Sequence, residues 1–231
     1  MHGITNYVAL LRRLERWRLE TKKHICLITF NYDTMLEHGL ADALGFSIKS
    51  MNSYLSFEGY SLIKAHGSVN WGRLAGGVAE NGDPDGVRRQ MIRGAGHYDV
   101  SRTYVLQNPI QPPLVPQDDR LVFPALAIPV EVKSEFELPD EHVAVMHKCI
   151  GEAEKVLIIG WRGAEDHFLS LWRERTTASS LIMHIVGANL EDAEEVYRRV
   201  SSGGLAGLPS YSEGGFSRTL ATGQLEPFLS D

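Results

Sequence analysis

The chain has 231 residues, 43% of them hydrophobic and 23% charged, with a formal net charge of −6. That length can bury a sizeable core and excludes a disulfide-stapled miniprotein, and the composition excludes a disordered or collagen-like chain. The acidic balance offers phosphates no global positive field, so no nucleic-acid partner is expected. No apolar run approaches the roughly 20 residues of a membrane helix, so no membrane partner is expected either. The opening MHGITNY carries no apolar signal region, which makes the cytoplasm the expected location. Cys26 and Cys149 stand far apart without a CxxC pair, and the histidines show neither HxH nor HExxH spacing, so neither a disulfide framework nor a metal site is expected.

Ile4, Tyr7, Val8, Leu10, Leu11, Leu14 and Trp17 recur at three- and four-residue steps and predict an amphipathic first helix. Its basic end, with Arg12, Arg13, Arg16, Arg18, Lys22 and Lys23, reads as a solvated face favoured by the helix dipole. HICLITF at 24–30 is a short run suited to a strand buried on both faces, and the turn NYD leads into helical spacing over 33–44 despite Gly39. YSLIKA at 60–65 is a second strand candidate, ending in a polar turn HGSVNW at 66–71. The glycine-rich stretch 72–102 reads as a flexible insertion. Short extended pieces follow at 103–107 and 120–129, where Pro124 and Pro129 argue against a central strand.

The last third alternates more regularly. Pro139 and Asp140 start a helix through Ile150. KVLIIGW at 155–161 is a strand, AEDHFLSLWRER the helix after it, SLIMHIVGAN at 180–189 a further strand and LEDAEEVYRRV its helix, while the tail from Ser201 is Gly/Ser-rich and expected to be irregular. Alternating strand and helix predicts an α/β fold: a Rossmann-like, mostly parallel sheet flanked by helices, in one domain over residues 1–231.

In such sheets ligands bind at the carboxyl ends of the strands, where four polar segments lie. Asn31 and Asp33 could hold a ribose hydroxyl or orient water, or Asp33 could cap the next helix with Asn31 in the turn. His66 could act as a general base beside Gly67, whose small size allows close approach to the backbone, or could be a partly buried histidine satisfied by a carbonyl. Gly160 could admit a nucleotide to a strand end or only make a tight turn, and Asp166 could contact ligand or stabilise a helix N-terminus. Asn189 reads as an N-cap with Asp192 at the third helical position. GxGxxG, GxxxxGK[ST] and GxSxG are all absent, so no standard phosphate loop or nucleophile elbow is present.

Taken jointly and in order, LITFNYDTMLEHGL, LIKAHGSVNW and VLIIGWRGAEDHFLSLW, with VFPALAIPVEVK between the last two, resemble the sirtuin family, especially its zinc-free bacterial sirtuin-like branch, over residues 22–190. The resemblance implies a Rossmann-like domain that binds NAD as substrate, uses no metal, and hydrolyses NAD to nicotinamide and ADP-ribose, as antiphage defence members of that branch do. It implies that His66 is the base, that Asn31 positions the ribose or the attacking water, and that Asp33 supports their loop. Thr29, Gly67, Gly160, Trp161, Asp166 and Asn189 would then line the dinucleotide site. Three departures accompany it. The family's initial Gly-Ala-Gly-x-Ser segment is absent, so the first strand of the sheet is expected to be missing; Phe30 replaces the glutamine of deacylating sirtuins; and no cysteine lies between His66 and Pro124, so there is no zinc module. An NAD-dependent protein deacylase or ADP-ribosyltransferase, and a non-catalytic domain that binds NAD or ADP-ribose, are the alternatives, with a second copy of the chain or an effector domain as further partners.

Overall fold

The computed structural model describes residues 2–78, 98–107, 120–127, 136–175 and 181–230, with Gly86, Arg89, Ile92 and Arg93 besides. In chain order the elements are α1 (His2–Thr21), β1 (Ile25–Thr29), α2 (Met35–Leu44), a 3-10 turn (Met51–Tyr54), β2 (Tyr60–Lys64), β3 (Gly67–Val78), β4 (Val100–Leu106) and β5 (Arg120–Leu126). They continue with α3 (Asp140–Gly151), β6 (Lys155–Ile159), α4 (Asp166–Arg175), β7 (Ile182–Val186), α5 (Leu190–Gly203), β8 (Leu208–Ser212), α6 (Gly215–Ala221) and α7 (Glu226–Ser230). The chain is α/β and forms two compact units, one of Met1–Ile25, His38–Phe46 and Ala144–Asp231, the other of Cys26–Glu37 and Ser47–Val143.

The first unit carries the Rossmann-like feature expected from strand–helix alternation, a parallel sheet in the order β6-β7-β8 flanked by helices. β7 is its centre, paired from Ile182 to Val186 with Lys155 to Ile159 on one side and Leu208 to Ser212 on the other. Its Met183, His184, Ile185 and Val186 are buried, as a strand covered on both faces requires. α4 buries Phe168, Leu169, Leu171 and Trp172, and α5 buries Ala193 and Val200 at helical spacing. α1 buries Leu10, Leu11 and Leu14. Gly39 of α2 is explained by packing, since a Cβ there would come within 2.9 Å of the Tyr7 side chain. The basic end of α1 is only partly a solvated face: Arg13 pairs with Glu226 at 2.9 Å, Arg18 with Glu15 at 2.8 Å and Lys23 with Glu154 at 2.8 Å.

The tail from Ser201, expected to be irregular, holds β8, α6 and α7. Leu-Pro-Ser-Tyr-Ser has no apolar run because β8 is an outer strand among the described residues, and its serines serve another purpose. Ser210 Oγ donates to Met183 O at 3.1 Å, so the 2.7 Å contact with His184 is a bond donated by His184 Nδ1–H. His184 Nε2 then accepts from the buried Ser212 hydroxyl, also at 2.7 Å. α6 and α7 are too short for periodicity to be read, but they bury Leu220 and Phe228.

The second unit contains paired β1 and β2 and an antiparallel sheet in the order β4-β3-β5. β2 is wholly buried, whereas in β1, expected to be buried on both faces, only Ile25 is. Segment 66–71, expected to be a polar turn, is a turn only at its start: β3 begins at Gly67 and runs to Val78. The insertion 72–102 accordingly begins and ends as strand, and 79–85, 87–88, 90–91 and 94–97 lie outside the described residues. Glycines at 72, 76 and 77 leave too few side chains for the β3 alternation to be read, although Trp71, Leu74 and Ala75 are buried. Pro124 sits in β5 opposite Gly72, and among the described residues β5 is an outer strand, where a missing N–H costs no ladder bond. Pro129 lies outside the described residues.

α3 contributes His142, 1% exposed, whose Nε2 meets Met51 O at 3.2 Å while the buried Nδ1 has no partner among the described residues. The Met51 carbonyl makes Nε2 the protonated nitrogen, and burial pulls the imidazole pKa from 6.5 to about 4. Because the folded-state pKa lies below the unfolded one, the stabilising contribution is full above pH 6.5 and is lost as the pH falls through 4. The loss amounts to about 3 kcal/mol. Denaturant titrations at stepped pH should show this acid slope in the native chain and a flatter profile in His142→Gln; an unchanged slope in the variant would contradict the assignment.

Candidate functional site

Two of the four strand ends come together in the second unit. Ala65 N–H donates to Thr29 O at 3.0 Å, which sets the ends of β1 and β2 side by side. The turn after β1 is fastened to the start of β3: Tyr32 O accepts from Val69 N–H at 2.9 Å and from the Ser68 hydroxyl at 3.1 Å, and the Tyr32 hydroxyl donates to Ala127 O at 2.5 Å. His66 is half-buried, its ring 5.2 Å from that of Phe30 and stacked on that of Tyr32 at 6.0 Å, and its carbonyl accepts from Ala127 N–H at 2.9 Å. Asn31 is exposed, and its backbone N–H donates to Thr29 Oγ1 at 3.1 Å. Asp33 Oδ1 accepts from Met35 N–H at 2.9 Å, so the carboxylate holds the start of α2. Gly67 has φ +77, and a Cβ there would lie 2.0 Å from Ala125 O, so the close approach it permits is that of β5. Thr29, Asn31, Asp33, His66 and Gly67 therefore form one corner, in which Thr29, Asp33 and Gly67 make structural contacts.

Beneath this corner lies a polar chain that the sequence does not announce. Lys64, 0% exposed, donates through Nζ to Glu37 Oε1 at 2.9 Å and to the backbone carbonyl of Asp33. Glu37 Oε1 also accepts from the Tyr54 hydroxyl at 3.0 Å, and Tyr54 accepts from Trp71 Nε1–H at 3.1 Å. An indole N–H only donates, so the Tyr54 proton points at Glu37 and the carboxylate is the acceptor of both its bonds. Burial pulls the Lys64 ammonium below the ordinary lysine pKa, with the charge of Glu37 opposing that pull, and burial followed by the charge of Glu37 pushes the Tyr54 phenol up. The available signal was Lys64 itself, a charge inside the apolar run Leu62, Ile63, Ala65, where a lysine must be paired.

The other predicted residues belong to the first unit, at the carboxyl ends of β6 and β7. Gly160 is exposed with φ +68, and a Cβ there would meet nothing within 4 Å. Trp161 donates its indole N–H to Glu165 Oε2 and packs edge-on against Phe168 at 5.3 Å. Asp166 opens α4 and lines a cleft of about 580 Å³ with Gly163, Leu169, Arg173, Arg199 and Ser202. Asn189 is the N-cap of α5: its Oδ1 accepts from Asp192 N–H at 2.8 Å, and its amide donates to the Asp192 carboxylate at 3.1 Å. The helix-capping role expected for Asn189 is thus the one its side chain performs.

Among the described residues no group of three or more His, Cys, Asp or Glu side chains is placed to hold a metal ion, and no helix is long and apolar enough to cross a membrane. Comparison with protein-family models, curated proteins and solved structures finds no match to this chain. The two positive-φ glycines should separate by surroundings. Gly67→Ala drives a Cβ into a carbonyl and should cost more than about 3 kcal/mol. Gly160→Ala meets only backbone strain and should cost about 1 kcal/mol. Urea unfolding of both variants checks this, and equal losses would contradict the packing assigned to Gly67.

Proposed function

We propose that this chain is a sirtuin-like enzyme that takes NAD as substrate and hydrolyses it to nicotinamide and ADP-ribose. The observation that carries the reading is the single corner built by the ends of β1 and β2, where the half-buried imidazole of His66 packs near the rings of Phe30 and Tyr32 and the same turn carries the exposed Asn31. In the proposed reaction the bond between ribose C1′ and the pyridinium nitrogen breaks and its electron pair leaves with nicotinamide. A water oxygen bonds to C1′, and the water proton passes to His66 and then to solvent. This chemistry asks the protein for orientation, one base and exclusion of bulk water. Asn31 orients the ribose or the water, and the rings of Phe30 and Tyr32 shield the imidazole. Phe30 also makes the position of the deacylase glutamine apolar, which favours water over an acyl-lysine acceptor.

The test is nicotinamide release from NAD by the purified, folded chain with no acyl-peptide present, beside His66→Ala and Asn31→Ala. Release by the native chain and a fall of about 100-fold or more in each variant are expected. Absence of release from the native chain, or release indifferent to both substitutions, would overturn the proposal.

A further inference from the structure

We propose that Lys64 is a positioning residue whose ammonium holds the peptide after Asp33 in place and so fixes the turn that carries Asn31. Its catalytic part rests on the NAD-cleaving reading above; its structural part does not. A buried ammonium has three protons to place, and Lys64 Nζ places one on Glu37 Oε1 and another on the carbonyl of Asp33, which ties it to the turn. The ammonium cannot swing away, because its side chain is 0% exposed and Glu37 is itself held by Tyr54, which Trp71 orients. The 31–33 turn is thus tied from one side by Lys64 at Asp33 O and from another by Val69 N–H and the Ser68 hydroxyl at Tyr32 O. Asn31, exposed at the head of this turn, takes its direction from the peptides that those bonds immobilise. An amide that must orient a sugar or a water is useful only if its own backbone is fixed, since a displacement near 1 Å can cost about 100-fold in rate.

The decisive comparison sets Glu37→Gln against the double variant Lys64→Met with Glu37→Gln. The single variant keeps an acceptor for Tyr54 and leaves Lys64 on Asp33 O; the double variant removes the clamp without stranding a buried carboxylate. Amide exchange of Tyr32, Asp33 and Met35 should stay near native in Glu37→Gln and rise about tenfold in the double variant. With NAD, kcat for nicotinamide release should fall about 100-fold in the double variant while KM stays within a few-fold, and Glu37→Gln should keep most of kcat. Native exchange and native kcat in the double variant, or equal losses in both, would overturn the proposal. If the double variant does not fold, the native chain decides by nuclear magnetic resonance: a scalar coupling from Lys64 Nζ to the Asp33 carbonyl carbon supports the clamp, and coupling to Glu37 alone overturns it. Failure of the native chain to release nicotinamide overturns the NAD reading and with it the catalytic part, while the exchange arm still decides whether Lys64 holds the turn.

Discussion

An ammonium group sealed from water must have its protons taken up by neighbours, and in this chain that constraint organises the second unit. Lys64 is placed by β2, Glu37 by α2, Tyr54 by the 3-10 turn and Trp71 by β3, so one line of hydrogen bonds joins four elements far apart in sequence. Truncating one partner of such a buried pair, so that no acceptor replaces it, costs about 3–5 kcal/mol, so none of these elements can drift without a penalty. The line ends on a backbone carbonyl in the 31–33 turn, and there packing becomes relevant to chemistry. The same turn carries Asn31 and stands against His66, so the corner inherits its rigidity from a network that touches neither residue.

The first unit is held differently. Its sheet is parallel around the apolar strand β7, whose polar exception, His184, is satisfied on both ring nitrogens by hydroxyls of the neighbouring strand. Burial lowers the pKa of this imidazole, which suits a neutral ring donating at one nitrogen and accepting at the other. Lys155 fastens the far end of the chain by donating to Phe228 O at 2.8 Å while its ammonium lies 5.3 Å from the Phe228 ring and 6.0 Å from that of Trp17. Such contacts explain why a Gly/Ser-rich tail is structured: its backbone and a few apolar anchors do the packing.

What could be read in the sequence follows from where the signal lies. β6, β7, α4 and α5 were legible because each carries its own apolar period or branched run, and Asn189 announced its capping role through Asp192. β8 was not, because its pairing is a property of the backbone and its side chains are chosen for His184 and solvent. β3 was hidden by its glycines, and β5 by a proline that only an outer strand tolerates. At the candidate site, the residues were visible as polar ends of apolar strands, and the joining of 31–33 to 66–68 emerged only from folding. Lys64 and Glu37 are 27 positions apart, and nothing local to either one names the other. The contact that Gly67 makes with Ala125 was equally out of reach, since only the fold sets β5 against that turn.

The central claim is that the ends of β1 and β2 form one ligand-bearing corner. The most direct test is an amide chemical-shift titration of the native chain with ADP-ribose, the product that the proposed reaction would leave on the protein. The account predicts saturable shifts concentrated at Thr29, Asn31, Tyr32, His66 and Ser68. Saturable binding that leaves both turns unmoved, or no binding by the folded chain, would contradict it.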